Sequence, residues 1–329
     1  MTKRTIGPFS VEPIGLGCMS LSHAYGVPPA REDAQKLLHR ALDIGVDFLD
    51  TAALYGFGAN EKLVGETLKG RRSEFTLASK CGMKGVNGVR VIDGRPETLK
   101  ETIDESLANL QTDVIDLYYL HRRDFSVPIE DSVGALAEMV KAGKVRAIGL
   151  SEISADTLRK AHAVHPIAAV QNEYSPWSRN VELGVLRACE ELGVALVAFS
   201  PVARGFLAGG VSDAAALAEK DIRRGMPRFQ GDNFTANLKL FDAFKALADE
   251  AGCTPAQLCL AWLLAKGDNI IPIPGTTSIA HLEEDFAARS IRLEADIVER
   301  VDTLVNQRTV AGPRYPAGTQ KEIDTEEYA

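Results

Sequence analysis

The sequence has no long uninterrupted run of apolar residues. Although 45% of its 329 residues are hydrophobic, no segment approaches the roughly 18 apolar residues that a membrane-spanning helix needs. The first residues also lack the apolar core of a signal peptide, because Gly7, Pro8, Ser10 and Glu12 interrupt them. We therefore expect a soluble protein that neither spans a membrane nor is exported.

Cysteine and basic residues are also in short supply. The five cysteines are an odd number, widely separated and without a C-x-x-C pair, which argues against a disulfide framework or zinc site and favours reduced thiols in the cytoplasm. Asp and Glu (45) outnumber Lys and Arg (37), for a formal net charge of −8. A nucleic-acid surface needs clustered basic residues. We expect no nucleic-acid partner and no bound metal.

An open dinucleotide-binding sheet is not indicated either. The segment after the first apolar run, Gly15-Leu-Gly17-Cys-Met-Ser20, lacks the third glycine of G-x-G-x-x-G. The sequence instead contains eight short apolar runs that alternate with amphipathic helical patterns, which predicts parallel strands joined by helices. The runs span residues 14–19, 46–49, 75–78, 114–120, 145–150, 167–170, 194–199 and 270–273.

Eight strand–helix units favour a closed barrel over an open sheet. We predict an α/β fold, a (β/α)8 TIM barrel, preceded by a short N-terminal β-hairpin that turns at Gly7-Pro8. The whole chain, 1–329, is predicted to be a single domain, with the barrel over about residues 12–304 and a polar C-terminal tail over 305–329. The tail is either disordered or folded over the barrel mouth.

Polar residues follow the apolar runs at the end where a TIM barrel has its active site. Asp50 and Tyr55 follow the second run, Lys80 the third and His121 the fourth. We expect Asp50 to orient Lys80, and the Lys80 ammonium to lower the pKa of the Tyr55 phenol. Such a phenol donates a proton to a carbonyl oxygen as hydride reaches the carbon, while a neutral His121 directs the same oxygen. These side chains predict carbonyl reduction.

The motifs around these residues resemble those of the aldo-keto reductase superfamily, especially its microbial and plant members. The matching segments are Asp50-Thr-Ala-x-x-Tyr55-Gly56, Lys80 after Phe75-Thr-Leu-Ala-Ser, Asp116-Leu-Tyr-Tyr-Leu-His121, Gly149-Leu-Ser151-Glu152, Gln171-Asn172-Glu173, Phe199-Ser200-Pro201 and Ile273-Pro274-Gly275-Thr276. The resemblance covers about residues 6–304. It implies Tyr55 as general acid, Lys80 and Asp50 as its support, and His121 as the donor that orients the substrate.

The resemblance also implies a nicotinamide cofactor, with NADPH as the first choice. It places the carboxamide of nicotinamide against Ser151 and Gln171 and the nicotinamide ring against Phe199. The pyrophosphate is expected under the 200–205 loop, and the adenosine end along residues 275–285. The implied cofactor-binding residues are Ser151, Gln171, Phe199, Ser200, Val202, Arg204, Gly205, Gly275, Thr276, Thr277, His281, Glu284 and Asp285.

Two regions depart from the family pattern. Glu152 stands where many members have Asn, and Thr277 and His281 stand where Arg or Lys often meets the 2′-phosphate of NADPH. Because a phosphate dianion is normally bound by Arg or Lys, the use of NADH, alone or beside NADPH, stays open.

Several side chains near the predicted mouth have two competing interpretations. His23 and Tyr25 either line the substrate pocket or shape a loop, and Trp177 either touches the substrate or does not. Arg122 and Arg123 follow His121 and either attract an anionic substrate or are ordinary solvated charges; the second interpretation is favoured, and we assign them no role.

The predicted protein is an NADPH-dependent oxidoreductase that reduces small-molecule aldehydes or ketones to alcohols. The alternative is a nicotinamide-binding regulatory subunit with little turnover, since the fold resembles the β subunits of potassium channels; the intact tetrad favours the enzyme. A barrel hydrolase based on Asp50 would leave Lys80 and Tyr55 without a role. A monomer and a homo-oligomer both fit the sequence.

Overall fold

The computed structural model describes residues 2–22 and 24–328. Within them, twelve strands are present: β1 (Arg4–Ile6), β2 (Phe9–Val11), β3 (Leu16–Gly17), β4 (Phe48–Asp50), β5 (Thr76–Cys81), β6 (Met83–Val86), β7 (Val89–Ile92), β8 (Ile115–Leu120), β9 (Val145–Ser151), β10 (Ile167–Glu173), β11 (Ala195–Phe199) and β12 (Ile270–Pro272). The α-helices in the same ranges are α1 (Arg31–Asp43), α2 (Ala59–Leu68), α3 (Pro96–Leu110), α4 (Ile129–Lys141), α5 (Ala155–Val164), α6 (Val185–Leu192), α7 (Gly231–Glu250), α8 (Pro255–Lys266), α9 (Ile279–Ala287), α10 (Ala295–Leu304) and α11 (Ala317–Gln320).

Eight parallel strands form the barrel, in the order β3, β4, β5, β8, β9, β10, β11 and β12. Backbone hydrogen bonds join the two ends of this sheet, from the Gly15 amide to the Pro272 carbonyl and from the Gly17 amide to the Pro274 carbonyl, each at 3.0 Å. A Cβ at Gly17 would lie 2.9 Å from the Ile273 carbonyl oxygen, so this seam requires glycine. The predicted (β/α)8 TIM barrel is confirmed.

The N-terminal hairpin of β1 and β2 is also confirmed. The two strands are antiparallel and turn at Gly7, whose φ is +51°. Ile6 and Val11 are fully buried and pack with apolar side chains inside the barrel, including Phe48. The larger apolar layer lies between the strands and the surrounding helices. Burial of apolar surface, at about 25 cal/mol per Å², therefore holds the strand ends at fixed positions.

Helix boundaries follow local sequence signals. Thr254 and Gln257 form a reciprocal capping box at the start of α8, and Pro255 occupies its first turn. Gly193 ends α6 in a left-handed conformation, with φ 67°. Every helix in the described ranges is too short or too polar to cross a lipid bilayer.

Three strands continue beyond the apolar runs that predicted them. β5 extends to Cys81, β9 to Ser151 and β10 to Glu173. The added residues include Lys80, Ser151 and Glu173, which are polar but buried and make side-chain hydrogen bonds. The apolar pattern therefore stops before the strand does.

Two features had no clear sequence signal. β6 and β7 form a second antiparallel hairpin after β5. The C-terminal tail is folded and contains the short helix α11. Its Asp324 amide donates to the Glu152 carbonyl at 2.9 Å, so the tail lies at the mouth, beside the end of β9. Of the two possibilities left open for the tail, the structure shows the folded one.

Candidate active site

The four predicted catalytic residues lie at the carboxyl ends of three neighbouring strands. Asp50 is the last residue of β4, Lys80 lies one residue before the end of β5, and His121 follows β8 directly. Tyr55 begins a 3₁₀ turn, Tyr55–Gly58, that contains two positive-φ residues at 56 and 57. All four side chains belong to buried residues. The barrel thus collects residues from distant parts of the chain into one enclosed cluster.

Lys80 is the centre of this cluster. Its Nζ donates to Asp50 Oδ1, to the Thr51 carbonyl at 2.9 Å and to the Tyr55 hydroxyl at 3.1 Å. These contacts use all three donors of the ammonium group. The side chains of Lys80 and Asp50 are only 0% and 2% exposed. The contacts match the arrangement that the sequence predicted for these three residues.

Burial and charge pairing act in opposite directions on the Lys80–Asp50 pair. Burial raises the pKa of the Asp50 carboxyl above its ordinary value, although the Lys80 ammonium and the Gln171 amide lower it. Desolvation lowers the pKa of Lys80, but the Asp50 carboxylate and the Tyr55 phenol more than offset this effect, so the net pKa of Lys80 is raised. Lys80 is therefore held in its charged form.

Lys80 lowers the pKa of Tyr55, in the direction expected from the sequence, but the net shift of this pKa is upward. Burial raises it above the ordinary value of 10.0, and this desolvation outweighs the lowering caused by Lys80 and Arg122. The nearby Asp50 carboxylate adds to the increase. The phenol consequently keeps its proton at neutral pH, which is the form that a proton donor needs.

His121 lies beside Tyr55, with ring centroids 5.7 Å apart and ring planes at 84°. Burial, together with the charges of Lys80 and Arg122, holds the pKa of His121 well below its ordinary value. The imidazole is therefore neutral at pH 7, as predicted. Its Nδ1 is buried and has no hydrogen-bond partner among the described residues. A buried polar atom without a partner in the protein has hydrogen-bonding capacity left for a ligand.

Ser151 and Gln171 lie next to this cluster, at the ends of β9 and β10. The Gln171 Nε2 donates to Asp50 Oδ2 at 2.7 Å, which leaves the amide oxygen for an incoming N–H. The Ser151 hydroxyl accepts a 3.4 Å hydrogen bond from Arg122. A hydroxyl and an amide oxygen side by side fit a carboxamide such as that of nicotinamide.

The loop after β11 has an unusual backbone. Ser200, Ala203 and Arg204 have φ angles of 50°, 55° and 58°, a region that non-glycine residues rarely adopt and that is common at functional sites. Phe199, Ser200 and Val202 are not fully buried, and Gly205 has φ 84°. The Arg204 guanidinium is directed inward instead and donates to Glu173 at 2.7 Å.

The first part of the predicted adenosine segment lies between β12 and α9. Gly275, Thr277 and His281 are exposed. The Thr276 hydroxyl accepts from the Ser278 amide at 3.0 Å, and the Ser278 hydroxyl caps α9. These contacts form an exposed turn at a helix N-terminus, a geometry that suits an anion.

Glu284 and Asp285, in α9, have different surroundings. Glu284 accepts from the Thr254 hydroxyl at 2.5 Å and so faces the start of α8. Asp285 lines a small cavity with Gly15 and Thr276. Burial raises the pKa of Asp285 to about 7, and the neighbouring Glu284 adds to this increase. The two acids therefore face different neighbours, and only Asp285 lines the cavity.

The predicted substrate residues are placed unequally. Tyr25 is partly buried, and its hydroxyl accepts from Arg204 at 3.3 Å. Trp177 is only 4% exposed and packs against Phe206, with ring centroids 4.3 Å apart. His23 lies outside the described residues. Packing thus accounts for most of the Trp177 surface, whereas Tyr25 is tied to the loop after β11.

The Aldo/keto reductase family model matches residues 13–306 of this chain. The chain belongs to the aldo/keto reductase family. An NADP(+)-designated aldo-keto reductase of Schizosaccharomyces pombe is 43% identical to this reductase over 97% of the chain and 96% of its own length. A Glycine max protein named "Probable aldo-keto reductase 1" is 41% identical over 94% of the chain and 90% of its own length.

Solved structures agree with this assignment. The reductase resembles a glycerol dehydrogenase of Gluconobacter oxydans with a TM-score of 0.85 and 27% identity, over 96% of this chain and 98% of that one. An aldo/keto reductase of Klebsiella pneumoniae, solved with NADP and acetate, has a TM-score of 0.72 and 25% identity over 96% and 99% of the two chains. The S. pombe relative carries NADP(+) in its name and the K. pneumoniae structure contains NADP, which agrees with the cofactor predicted from the sequence.

The structure also shows a charged cluster that the sequence did not reveal. Arg314, from the tail, donates to both oxygens of Glu152, at 3.0 and 2.9 Å, and to Glu173 at 3.1 Å. Glu173 also pairs with Arg204 at 2.7 Å. The Glu152 carboxylate is thus bound by the tail rather than open to a cofactor. The available signal in the sequence was the presence of Glu152 and Glu173 at the ends of two neighbouring strands. Because buried charges need partners, two such acids indicate that basic residues lie nearby.

Proposed function

We propose that the reductase converts aldehydes or ketones to alcohols, with Tyr55 as the general acid. The observation that supports this proposal is the 3.1 Å contact between the Lys80 Nζ and the Tyr55 hydroxyl, inside a cluster that also holds a neutral His121. The raised pKa of Tyr55 keeps a proton on its oxygen at neutral pH. An acid, a cation beside it and a neutral hydrogen-bond donor are the groups that carbonyl reduction requires.

NADPH, when bound, supplies the hydride that reaches the carbonyl carbon. Tyr55 gives the proton on its hydroxyl to the carbonyl oxygen as negative charge develops there. Lys80 stabilises the phenolate that remains on Tyr55, and Asp50 holds the Lys80 ammonium in place. His121 donates an imidazole N–H to the same carbonyl oxygen and fixes its direction.

The roles of the cofactor-binding residues are also part of this proposal. We propose that the Ser151 hydroxyl donates to the carboxamide oxygen of nicotinamide, and that the Gln171 oxygen accepts from its NH₂. Phe199 remains assigned to the nicotinamide ring. The pyrophosphate and adenosine regions remain assigned to Ser200, Val202, Arg204, Gly205, Gly275, Thr276, Thr277, His281, Glu284 and Asp285. In this set, Arg204 and Glu284 are engaged with protein partners and shape their segments.

The proposal extends to the chain as a whole. The docked tail supports a single domain over the full length, because Arg314 and Asp324 are bound to residues at the barrel mouth. All five cysteines are free thiols, which supports a reducing compartment and hence the cytoplasm. We propose Tyr25 as a substrate-pocket residue on its contact with the loop after β11.

The first test is a paired titration of the purified protein with NADPH and NADH, followed by absorbance at 340 nm as aldehydes are added. We expect NADPH to bind and its absorbance to fall only when an aldehyde or ketone is present. Binding without turnover of any carbonyl compound would favour the regulatory-subunit alternative. Tighter binding of NADH would reverse the proposed cofactor preference. This outcome is tested because the exposed Thr277 and His281 provide no Arg or Lys for the 2′-phosphate of NADPH.

A further inference from the structure

Arg122 lies at the edge of the catalytic cluster without a carboxylate partner. Its Nη1 donates to the His121 carbonyl at 2.7 Å and to the Ser151 hydroxyl at 3.4 Å. Within the described residues, no Asp or Glu oxygen lies within 4 Å of this guanidinium, and its Nε and Nη2 make no hydrogen bond. Neither nitrogen is sealed from solvent. One edge of the guanidinium is therefore available to a ligand.

The other arginines around the mouth are engaged by carboxylates or by other polar groups of the protein, although the buried Nε of Arg123 and that of Arg314 make no hydrogen bond among the described residues. Arg123 pairs with Asp324 at 2.9 Å, Arg204 with Glu173 at 2.7 Å, and Arg223 with Asp221 at 2.6 Å. Arg314 pairs with both Glu152 and Glu173, and Arg90 pairs with Glu322. Arg228 has no carboxylate within 4 Å in the described chain, but the carbonyls of Trp177 and Gly312 and the Ser178 hydroxyl bind its guanidinium.

An unpaired, partly buried cation has an energetic cost. It has lost part of its hydration without gaining a counter-ion. Its charge also helps to keep His121 neutral and lowers the pKa of Tyr55, which places the charge close to both side chains. Although the protein has a formal net charge of −8, the Arg122 charge has no counter-ion among the described residues, so the local field beside the proposed proton donor is suited to an anion.

We infer that Arg122 is a specificity residue that binds a carboxylate on the substrate, so that the preferred substrates are small aldehydes or ketones that also carry a carboxylate. This inference rests on the proposed reductase function and names its substrate class. The planar guanidinium binds a carboxylate through two parallel N–H donors, and its open edge has these two donors in Nε and Nη2. A contact between the carbonyl oxygen and Tyr55 and a second contact between the carboxylate and Arg122 would orient the substrate at two points.

The test compares 4-carboxybenzaldehyde with its neutral methyl ester, methyl 4-formylbenzoate. We expect kcat/KM for the acid to exceed that for the ester by about 10- to 100-fold, because hydrogen bonds to a charged group are stronger than those between neutral groups. In Arg122→Gln, this ratio should fall by about tenfold or more. Arg122→Lys should keep part of it, since the charge remains but the planar fork is lost.

Arg187→Gln is the matched control. Arg187 is 83% exposed and pairs only with Glu191 among the described residues, so the substitution changes net charge equally but should leave the acid-to-ester ratio unchanged. A similar loss in both variants would show a general charge effect and overturn the inference. So would an equal kcat/KM for acid and ester in the parent protein.

A binding measurement separates this inference from the proposed function. Benzoate and benzamide are titrated calorimetrically into the NADP(+) complex of the parent and of Arg122→Gln. We expect benzoate to bind more tightly than benzamide, and the difference to disappear in the variant.

Benzoate binding without turnover of any aldehyde would keep the anion subsite and reject the reductase proposal. Ester turnover without a benzoate preference would do the reverse. A weaker affinity of Arg122→Gln for NADPH, with the benzoate preference intact, would assign Arg122 to the cofactor instead.

Discussion

Two buried charged clusters lie at the mouth of this barrel, and we propose different uses for them. The catalytic cluster, defined by Asp50, Tyr55, Lys80 and His121, is at the ends of β4, β5 and β8. The anchoring cluster, defined by Glu152, Glu173, Arg204 and Arg314, joins the ends of β9 and β10 to the loop after β11 and to the tail.

The clusters differ in which polar group is left without a partner. In the anchoring cluster it is the Nε of Arg314, which is buried and makes no hydrogen bond among the described residues. In the anchoring cluster both carboxylates meet guanidinium groups at 2.7–3.1 Å. In the catalytic cluster, a phenol retains its proton and the Nδ1 of His121 has no partner among the described residues. Burial of charge alone therefore does not mark a catalytic site. A site of chemistry is distinguished by groups that can gain or lose a proton and that keep hydrogen-bonding capacity where they are held.

The largest expected effect on this comparison is that of Tyr55→Phe. Removing the hydroxyl removes the proposed proton donor, so the rate of carbonyl reduction should fall by about 10²- to 10⁴-fold, while NADPH affinity is retained. Steady-state kinetics and NADPH fluorescence titration measure the two quantities. Tyr328→Phe is a suitable control, because it removes a phenol that only donates to the Arg179 carbonyl. Wild-type activity in Tyr55→Phe would contradict the assigned acid.

Lys80→Met should also impair reduction, by about 10²-fold, the lower end of the range for general acid catalysis. Because the Lys80 ammonium lowers the pKa of Tyr55 and Asp50 raises it, loss of the ammonium should raise that pKa further. Reduction needs the protonated phenol, so the alkaline decline in the pH–rate profile should move to higher pH in Lys80→Met. An alkaline decline that moved to lower pH would argue against this coupling.

In the anchoring cluster, Arg314→Met should reduce stability more than it reduces the chemical step. Breaking a buried ion pair costs about 3–5 kcal/mol, since a buried charge is left uncompensated, and here Glu152 loses its cation. Urea unfolding followed by circular dichroism measures the change. Arg187→Met, which breaks an exposed pair with Glu191, should change stability by about 0–1 kcal/mol. Equal effects of the two substitutions would remove the distinction between the clusters.

The smallest expected effect is a pH dependence of that stability. The charges of Arg204 and Arg314 hold the pKa of Glu173 well below its ordinary value, despite the opposing effect of burial. A depressed carboxyl pKa stabilises the fold above the unfolded-state pKa of about 4.3, and this contribution is lost as the pH falls below it. The stability difference between the parent and Glu173→Gln should therefore shrink from pH 6 to pH 3. Thermal unfolding across this range tests it, and a constant difference would contradict the prediction.

Sequence reasoning located the barrel and predicted which side chains meet at its mouth, those that we propose as catalytic, because both depend on local, repeated signals. The eight apolar runs correspond to the eight barrel strands, and Asp50, Lys80 and His121 were identified as the polar residues that follow such runs. It predicted the direction in which Lys80 shifts the pKa of Tyr55 but not the larger opposing effect of burial, which depends on how completely the fold encloses the phenol. Sequence reasoning also could not assign a role to Arg122, because that role is inferred from which of the neighbouring arginines are paired with carboxylates in the structure.

The sequence by itself therefore determined the barrel, its N-terminal hairpin and the residue types at the mouth, because the spacing of apolar residues sets strand and helix positions along the chain. Only the tertiary structure decided the pairing of charges around that mouth. Arg314 meets Glu152 and Glu173 across 162 and 141 positions of the chain. No local pattern encodes such a contact, because it exists only once the barrel has closed and the tail has docked on it.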